Sequence, residues 1–468
     1  MNRYDQLARL LLLSLLASCT LRAAGPTSAS DSGTSPSKDA GANDSGINAP
    51  DAAIALEGDF FVSPQGSDSN NGSQSSPFAT ITHASTMVQP GQVVEILEGI
   101  YSEHVRIETS GTAGLPITYV GRSGAIIDGG GFDLSDGGDY DGLFVVSGKS
   151  YIVLDGITLR NTNHHAFAIN PGNESDTISD ITIRNCRTEN TDGSGVLVYG
   201  HFPFVKYQIR NILIEDNEIV LPQQGVFNGN RRYHEDITIG GGVEDFVISG
   251  NHVDVENQDR ELWDGGPLGI DVKDGVRNGK IFNNHVENVP SQGIYVDAYL
   301  DGASNIEVFQ NLVHGISGYG IVVGAEAGGR LDDVKVYNNV VYDSRWGGVR
   351  VADYIIDGFT PTEKTNVHIF NNTLYGVDIS STTLASGKVY NNLVDTAESL
   401  DIAGSYEVRN NCEAAPQFVD PANNDFHLQS TSPCIDVGTS EGAPSVDFDG
   451  NARPQGGGYD TGAFEYSP

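Results

Sequence analysis

The chain has 468 residues, with 26 basic and 62 acidic side chains and a formal net charge of −36. A negative field of this strength opposes binding to nucleic acid and to anionic membranes. It also repels acidic polysaccharides, unless a bound cation or a local basic patch offsets it.

The N-terminal segment, residues 1–19, is typical of a secretory signal, because its apolar run from 10 to 16 is too short to cross a bilayer. The run ends in Leu-Ala-Ser-Cys, which resembles the bacterial lipobox, and this resemblance implies lipidation of Cys19. An ordinary cleaved signal is the alternative. Residues 20–59 are rich in Ala, Gly, Ser, Asp and Pro, which predicts a disordered tether. We therefore expect an exported protein, either lipid-anchored at the bacterial envelope or surface or secreted.

The ordered body begins at Phe60. A short helix is predicted between Pro77 and Val88, where apolar residues recur at helical spacing before a Pro-Gly pair. A helix at this position would cover the open end of a repetitive structure, whose terminal units need a cap. Strands are predicted at 93–97 and 117–120.

A repeat fills the middle of the chain. Short apolar runs that alternate β-branched and aromatic residues end in Gly or Asn and then start again, without any helical period. Self-similarity at this period predicts a solenoid, here a parallel β-helix over 60–410 that is followed by a cap over 411–468. We expect the repeated asparagines to form a hydrogen-bonded ladder inside the turns. The marks of the repeat are Gly156, Asn185, Asn217, Asn251, Asn284, Asn311, Asn339, Asn372 and Asn392.

Each repeat carries a second strand about ten residues after its mark. Because side chains alternate between faces, the second and fourth residues of each strand point outward in two rows. The first row is predicted to be Ala168, Leu197, Thr238, Asp271, Tyr295, Val322, Arg350 and Asp378. The second row is predicted to be Asn170, Tyr199, Gly240, Lys273, Asp297, Gly324, Ala352 and Ser380.

These rows predict a site on two adjacent rungs, formed by Asp271, Lys273, Tyr295 and Asp297. Small residues on either side are expected to leave this face open as a saccharide groove, with Glu326 on a nearby turn. Two long insertions, 221–236 and 255–268, precede the strands of the patch and could form one wall. Substrate-binding candidates around the patch are Tyr295, Arg350, Tyr199, Trp263, Trp346, Tyr299, His234 and Arg345.

Cysteine spacing excludes a typical zinc motif. Cys412 and Cys434 could pair in an oxidising compartment, whereas Cys186 is expected to be a small buried side chain.

Both ends of the body resemble known proteins. The text at 61–72 and 77–81 resembles the opening of secreted right-handed β-helix proteins, including pectate lyases of polysaccharide lyase family nine. The text at 434–436, 447–454 and 460–465 is similar to the C-terminal cap of many bacterial β-helix proteins. The resemblance covers 60–468 and implies an all-β, right-handed parallel β-helix with a short N-terminal capping helix and an irregular C-terminal cap.

The family resemblance also implies site chemistry. Family-nine lyases carry a Gly-hydrophobic-Asp-x-Lys-like strand, which the text from Gly269 to Lys273 resembles. They carry three further aspartates on the next coil, of which only Asp297 is matched here. A lyase would use Lys273 as base and calcium held by Asp271, Asp297, Asp264 or Asp301 to neutralise a uronate.

Other chemistries fit the same patch. A glycoside hydrolase would use two of the carboxyl groups of Asp271, Asp297 and Glu326, with Lys273 or Arg350 tuning them. An epimerase would share the proton abstraction of a lyase. The non-catalytic alternative is an exposed ion pair between Lys273 and Asp297 on a glycan-binding or structural surface protein. We rank a monomeric polysaccharide lyase slightly above a hydrolase.

Overall fold

The chain folds as a right-handed parallel β-helix, seen here in a computed structural model. The structure describes residues 57–134, 138, 140–173, 175–200, 207–222, 235–255, 267–354, 360–396, 400–413 and 415–467. Over these residues, three long parallel sheets run along the solenoid, and each complete coil contributes one strand to each sheet, while the first sheet has one additional strand at each end. None of the helices in these ranges is both long and apolar enough to cross a membrane.

The strands of each sheet stack in chain order. In the described part of the chain, the first sheet contains β1 (Phe60–Val62), β2 (Val93–Ile96), β5 (Ile117–Gly121), β8 (Ile152–Asp155), β11 (Ile178–Arg184), β14 (Ile209–Glu215), β17 (Val243–Ser249), β20 (Arg277–Phe282), β23 (Ala303–Phe309), β26 (Leu331–Tyr337), β29 (Lys364–Phe370), β32 (Ala385–Tyr390) and β35 (Ser405–Arg409). The second sheet contains β4 (Val105–Arg106), β7 (Gly142–Ser147), β10 (His165–Asn170), β13 (Val196–Tyr199), β16 (Glu235–Gly240), β19 (Leu268–Lys273), β22 (Ile294–Ala298), β25 (Tyr319–Ala325), β28 (Gly347–Asp353), β31 (Ile379–Ser381) and β34 (Leu400–Ile402). The third sheet contains β3 (Gly99–Tyr101), β6 (Ala125–Asp128), β9 (Thr158–Thr162), β12 (Arg187–Thr191), β15 (Glu218–Pro222), β18 (His252–Asp254), β21 (His285–Glu287), β24 (Leu312–His314), β27 (Val340–Tyr342), β30 (Thr373–Tyr375) and β33 (Leu393–Asp395).

A short helix, α1 (Ile81–Met87), packs on the first coil. It begins later than the sequence predicts, because the Thr80 side chain caps it by accepting a hydrogen bond from the backbone N–H of His83. Its apolar face, formed by Ile81 and Ala84 and continued by Val88, is fully buried with the core of the coils. The helix therefore covers apolar surface that the first rung would otherwise expose to water.

The predicted asparagine ladder is confirmed, with one shift of register. From Asn251 onward, each Oδ1 in the ladder accepts hydrogen bonds from the backbone N–H and the side-chain amide of the preceding asparagine, as Asn251 does from Asn217 at 3.0 and 2.9 Å. Gly156 and Asn185 lie one residue earlier than the ladder and have positive φ, and Cys186 takes the ladder position in the coil of Asn185. The ladder comprises Asn217, Asn251, Asn284, Asn311, Asn339, Asn372, Asn392 and Asn411.

The C-terminal cap contains an antiparallel hairpin, β36 (Phe418–Asp420) and β37 (Asp425–Leu428), joined by a 3₁₀ turn at Pro421–Asn423. The expected disulfide between Cys412 and Cys434 is present, and Cys186 is buried and free, as predicted. Inside the cap, the guanidinium of Arg453 and the carboxylate of Glu465 form a fully buried ion pair at 2.6 Å.

Candidate functional site

The second sheet places the predicted site residues on neighbouring rungs. Asp271 lies opposite Tyr295, and Lys273 lies opposite Asp297, in the register of β19 and β22. The residues that alternate with them, such as Val272, are fully buried in the core of the coils. The four polar side chains therefore project from the outer face of the sheet, as the alternation predicts.

The predicted rows fail only at their last member. Arg350 pairs with Ser380, not with Asp378, so the strand β31 is shifted by two residues from the prediction. Asp378 lies before this strand, where its backbone carbonyl accepts from the N–H groups of Gly348 and Val349. The coil that begins at Asn372 is short, so its second strand starts at a different offset from the ladder.

Lys273 is the cation of a buried carboxyl cluster, which we define as Glu235, Asp271, Asp274, Asp297 and Glu326. The Lys273 ammonium donates to Glu235 and lies 3.0 Å from Oδ2 of Asp271. It therefore does not make the exposed pair with Asp297 that the sequence suggested as an alternative. Burial alone would lower the pKa of Lys273, but Asp271 and Glu235 outweigh burial and raise this pKa.

Two tyrosine hydroxyls donate hydrogen bonds to Glu326 and Asp274 of the cluster. The Tyr295 hydroxyl donates to Oε1 of Glu326 at 2.9 Å, and the Tyr199 hydroxyl donates to Oδ2 of Asp274. The other oxygen of Asp274 accepts from the backbone N–H of Leu300 at 3.0 Å. These bonds account for Glu326 and Asp274 and leave Asp271 and Asp297 as the members with unsatisfied oxygens.

Asp271 and Asp297 carry the most unusual electrostatics of the cluster. Asp271 is 0% exposed and Asp297 is 4% exposed. Both oxygens of Asp271 and Oδ1 of Asp297 lack a hydrogen-bond donor, although Lys273 is close to Asp271. Burial raises the pKa of Asp271, with Lys273 opposing the rise. Burial, followed by Glu326 and Asp271, raises the pKa of Asp297, and burial also raises that of Glu326.

The prediction that small residues leave this face of the sheet open is wrong. The small residues at Gly240 and Gly324 make room for tyrosine rings, because a Cβ would lie 2.4 Å from the Tyr199 ring at Gly240 and 2.8 Å from the Tyr295 hydroxyl at Gly324. Tyr295 packs with Val322 and Ala352 in an apolar cluster outside the main core. The half-buried side chains of Lys273 and Glu326 mark where the cluster reaches solvent.

The remaining candidates lie at different distances from the cluster. Tyr299 belongs to its surroundings, since burial and then Glu326 raise its pKa to about 12. Arg350 lies over the Tyr319 ring at 5.8 Å, and Trp346 contacts the same ring edge-on, so these two form a separate aromatic corner beside exposed Arg345. Candidates outside the described residues are His234, Trp263, Asp264 and Cys19.

The expected calcium site is matched only in part. The unpartnered oxygens of Asp271 and Asp297 suit a cation, and calcium needs six to eight oxygen ligands. Within the described ranges, however, Asp271, Asp297 and Asp301 do not bring their oxygens together as a compact group. One Asp301 oxygen accepts from the N–H of Gly302 instead. Asp264 lies outside these ranges, so calcium stays a prediction.

Sequence reasoning missed partners that the coil brings back to the site. Glu235 lies at the end of the 221–236 insertion, and Asp274 directly follows Lys273, but the alternation of the strands predicts neither as a member of the site. Asp236 was also missed, and it is fully buried with no donor to either oxygen. On the next rung its position is Gly269, where a Cβ would meet the core side chain of Val286 at 2.7 Å. Asp236 therefore points inward, and burial raises its pKa.

Comparisons with known proteins agree with this fold. Residues 60–218 match the family model described as "Pel9A-like, right handed beta helix region", 141–353 match "Right handed beta helix region", and 331–406 match "Disaggregatase related". The uncharacterized protein YwoF of Bacillus subtilis (strain 168) is 29% identical over 357 residues, which cover 72% of this chain and 67% of YwoF.

Solved structures show the same architecture. The complex structure of XylC with xylose matches with a TM-score of 0.52 at 12% identity, covering 87% of this chain and 98% of XylC. Pectate lyase Pel9A matches with a TM-score of 0.49 at 17% identity, covering 88% of this chain and 97% of Pel9A. At these identities the likeness concerns the fold alone.

Proposed function

Because this chain is a right-handed parallel β-helix protein that resembles the Pel9A-like proteins, we propose that it is a carbohydrate-active enzyme that cleaves a polysaccharide at the carboxyl cluster. One observation carries the proposal. Asp271 and Asp297 are buried on adjacent rungs with unpartnered oxygens, and a lysine ammonium lies 3.0 Å from one of them. Buried acids with raised pKa values beside a charged partner are typical of functional sites, so this arrangement favours a chemical role.

Hydrolysis is the reaction that this electrostatic arrangement supports best. Burial, followed by Glu326 and Asp271, raises the pKa of Asp297 and favours its protonated form, which suits a general acid that protonates the leaving glycosidic oxygen. Burial raises the pKa of Asp271 to about 8, whereas the Lys273 ammonium opposes this rise and makes Asp271 the candidate for the base or nucleophile. Lys273 itself is held as a cation by two carboxylates, so it is poorly placed to act as the base that the sequence suggested.

Charge favours a neutral or weakly charged glycan. The cluster sets one ammonium against five carboxyl groups, and the whole chain has a formal charge of −36. A polyuronate would meet repulsion at long range and again at the site. A neutral glycan meets neither, so the substrate class that we propose is a neutral polysaccharide.

Eliminative cleavage is the second candidate, and a specific observation favours it. The strand from Gly269 to Lys273 matches the lyase-like pattern, and residues 60–218 match the Pel9A-like model. A calcium ion on Asp271 and Asp297 would supply the positive charge that a uronate carboxylate needs. In that case Lys273 would lose part of its attraction to Asp271, and its pKa would fall.

A polysaccharide panel, with and without a calcium chelator, separates these functions. New reducing ends without ultraviolet absorbance indicate hydrolysis, and absorbance of an unsaturated product that disappears on chelation indicates a lyase. Altered sugar configuration without cleavage indicates an epimerase, and binding alone indicates a glycan-binding protein; either result overturns the proposal. Loss of a general acid costs typically about 10²–10⁴-fold in rate, so we expect at least a hundredfold loss in Asp297→Asn.

A matched control keeps this test specific. Glu307→Gln alters a carboxylate that pairs with Lys335 at 3.1 Å on the first sheet, away from the cluster. We expect this variant to keep wild-type activity, whereas Asp271→Asn and Lys273→Met should lose it. If each of the single variants Asp271→Asn, Lys273→Met and Asp297→Asn keeps full activity, the carboxyl cluster is not the catalytic site.

We further propose export and lipid attachment at Cys19, on the strength of the lipobox-like text alone. Expression of the full chain in a bacterial host with labelled palmitate tests this directly. Label in the wild type that is absent from Cys19→Ser supports the anchor. A mature protein that carries no label contradicts it.

A further inference from the structure

The outer face of the third sheet gathers metal-binding residue types on three consecutive rungs. The strands β18, β21 and β24 follow the ladder with the sequences His-Val-Asp, His-Val-Glu and Leu-Val-His. Their central valines are fully buried, so the flanking side chains project outward. The register sets His252 beside His285 and Asp254 beside Glu287, and on the next rung Leu312 lies beside His285 and His314 beside Glu287.

The side chains in this group converge on Glu287. The distance from Nε2 of His252 to Oε1 of Glu287 is 2.9 Å. The same carboxylate lies 3.8 Å from Nε2 of His285 and 3.7 Å from Nε2 of His314. The two Nε2 atoms of His285 and His314 are themselves 2.8 Å apart. Three imidazole nitrogens therefore surround one carboxylate.

Among the described residues, His252, His285 and Glu287 form the one group of three such residues whose ligand atoms all lie within 4.8 Å of one another. Imidazole nitrogen and carboxylate oxygen are both zinc ligands, and zinc sites use three or four of them. His314 offers a fourth nitrogen from the next rung. The side chains of His252 and His285 are 39% and 37% exposed, so an ion could reach them from solvent.

We propose that His252, His285 and Glu287, with His314 as a fourth ligand, form a binding site for a divalent transition-metal ion, most favourably Zn²⁺. Imidazole ligands distinguish such an ion from calcium, which takes oxygen ligands. The site lies on the third sheet and shares no residue with the carboxyl cluster of the second sheet. The proposed metal site can therefore be tested independently of the proposed enzymatic activity.

The test is to measure zinc binding to the full chain, without a histidine tag, by isothermal titration calorimetry. His285→Phe removes the central nitrogen, while its ring can still stack between those of His252 and His314, which now lie 4.9 and 5.0 Å from the His285 ring. The control is His368→Phe, which changes a half-buried histidine on β29 outside this group. Far-ultraviolet circular dichroism confirms that each variant is folded.

We expect one zinc per chain in the wild type and unchanged affinity in His368→Phe. Mutation of a residue that only hydrogen-bonds to a metal ligand typically costs about 10–100-fold in metal affinity. Loss of the His285 ligand itself should therefore weaken zinc binding by at least about 100-fold. Cobalt binding to the wild type should give visible absorbance bands that His285→Phe lacks. Absence of saturable zinc binding, or equal affinity in wild type and His285→Phe, would overturn the proposal. Asp297→Asn should bind zinc as the wild type does.

Discussion

The asparagine ladder offers the sharpest test of what holds the coils together. In the middle of the ladder, the Asn311 side-chain amide donates to the carbonyl of Ile281 at 2.9 Å and to Oδ1 of Asn339 at 3.0 Å. Its oxygen accepts from the backbone N–H and the side-chain amide of Asn284, both at 3.0 Å. All three asparagines are at most 1% exposed. Asn311→Ala therefore removes four buried hydrogen bonds at once.

The expected cost follows from this count. A buried hydrogen bond contributes about 1 kcal/mol net, so four contribute roughly 4 kcal/mol to the free energy of unfolding. The buried backbone N–H of Asn284 loses its acceptor, which adds to the loss. The Asn284 amide keeps the carbonyl of Ile248, and Oδ1 of Asn339 keeps the backbone N–H of Asn311. We therefore treat roughly 4 kcal/mol as the lower end of the expected destabilisation by Asn311→Ala.

Urea denaturation followed by far-ultraviolet circular dichroism measures this loss. Asn305→Gly is the control, because Asn305 is exposed, has a φ of 53° that glycine tolerates, and makes one side-chain hydrogen bond to Asn278 at 2.9 Å. We expect the control to stay within about 0.5 kcal/mol of the wild type. If Asn311→Ala lies within about 1 kcal/mol of the control, the ladder is not a major source of stability and this argument fails.

Three further outcomes follow from the buried charges. Because burial raises the pKa of Asp297, its contribution to stability is complete at acid pH and is lost as pH rises through the raised pKa. Urea denaturation should therefore show that the free energy of unfolding falls more steeply with pH in the wild type than in Asp297→Asn. Equal slopes of unfolding free energy against pH would contradict this. Lys273→Met leaves buried Asp271 without its cation, and we expect the loss of unfolding free energy to grow with pH toward roughly 3–5 kcal/mol, because a charged Asp271 is then unpaired; a loss that does not change with pH would contradict this. Glu465→Ala strands the fully buried guanidinium of Arg453 in the cap and should also cost roughly 3–5 kcal/mol, whereas a change below about 1 kcal/mol would show that water reaches this pair.

The fold was predictable because its signals are local and repeated. Alternation of apolar residues around Ile270 and Val272 sets which side chains enter the core, and the same alternation on the next strand places Asp271 beside Tyr295. Register failed where the repeat length changed, at Asp378, because a short coil shifts the strand relative to the ladder.

Side-chain partners were less predictable, because they depend on rotamers and on chain that returns from the previous coil. Lys273 could reach Asp297 across the rungs, yet its ammonium lies between Glu235 and Asp271. The histidine group was visible in the sequence as Asn-His-Val-Asp at 251–254 and Asn-His-Val-Glu at 284–287, one offset after the ladder. The strand that directly follows each ladder asparagine carries these residues.

The amino-acid sequence by itself determined the solenoid, the direction of the second-sheet residues as far as Arg350 and Ala352, and the clustering of acids near one lysine, since these follow from the period of the chain and from composition. Only the tertiary structure decided that tyrosine rings cover the small residues, that Asp271 and Asp297 are buried with unpartnered oxygens, and that three histidines meet at Glu287. The physical reason is that burial and pairing arise between coils, where residues about 30 positions apart in the chain approach to roughly 4.8 Å.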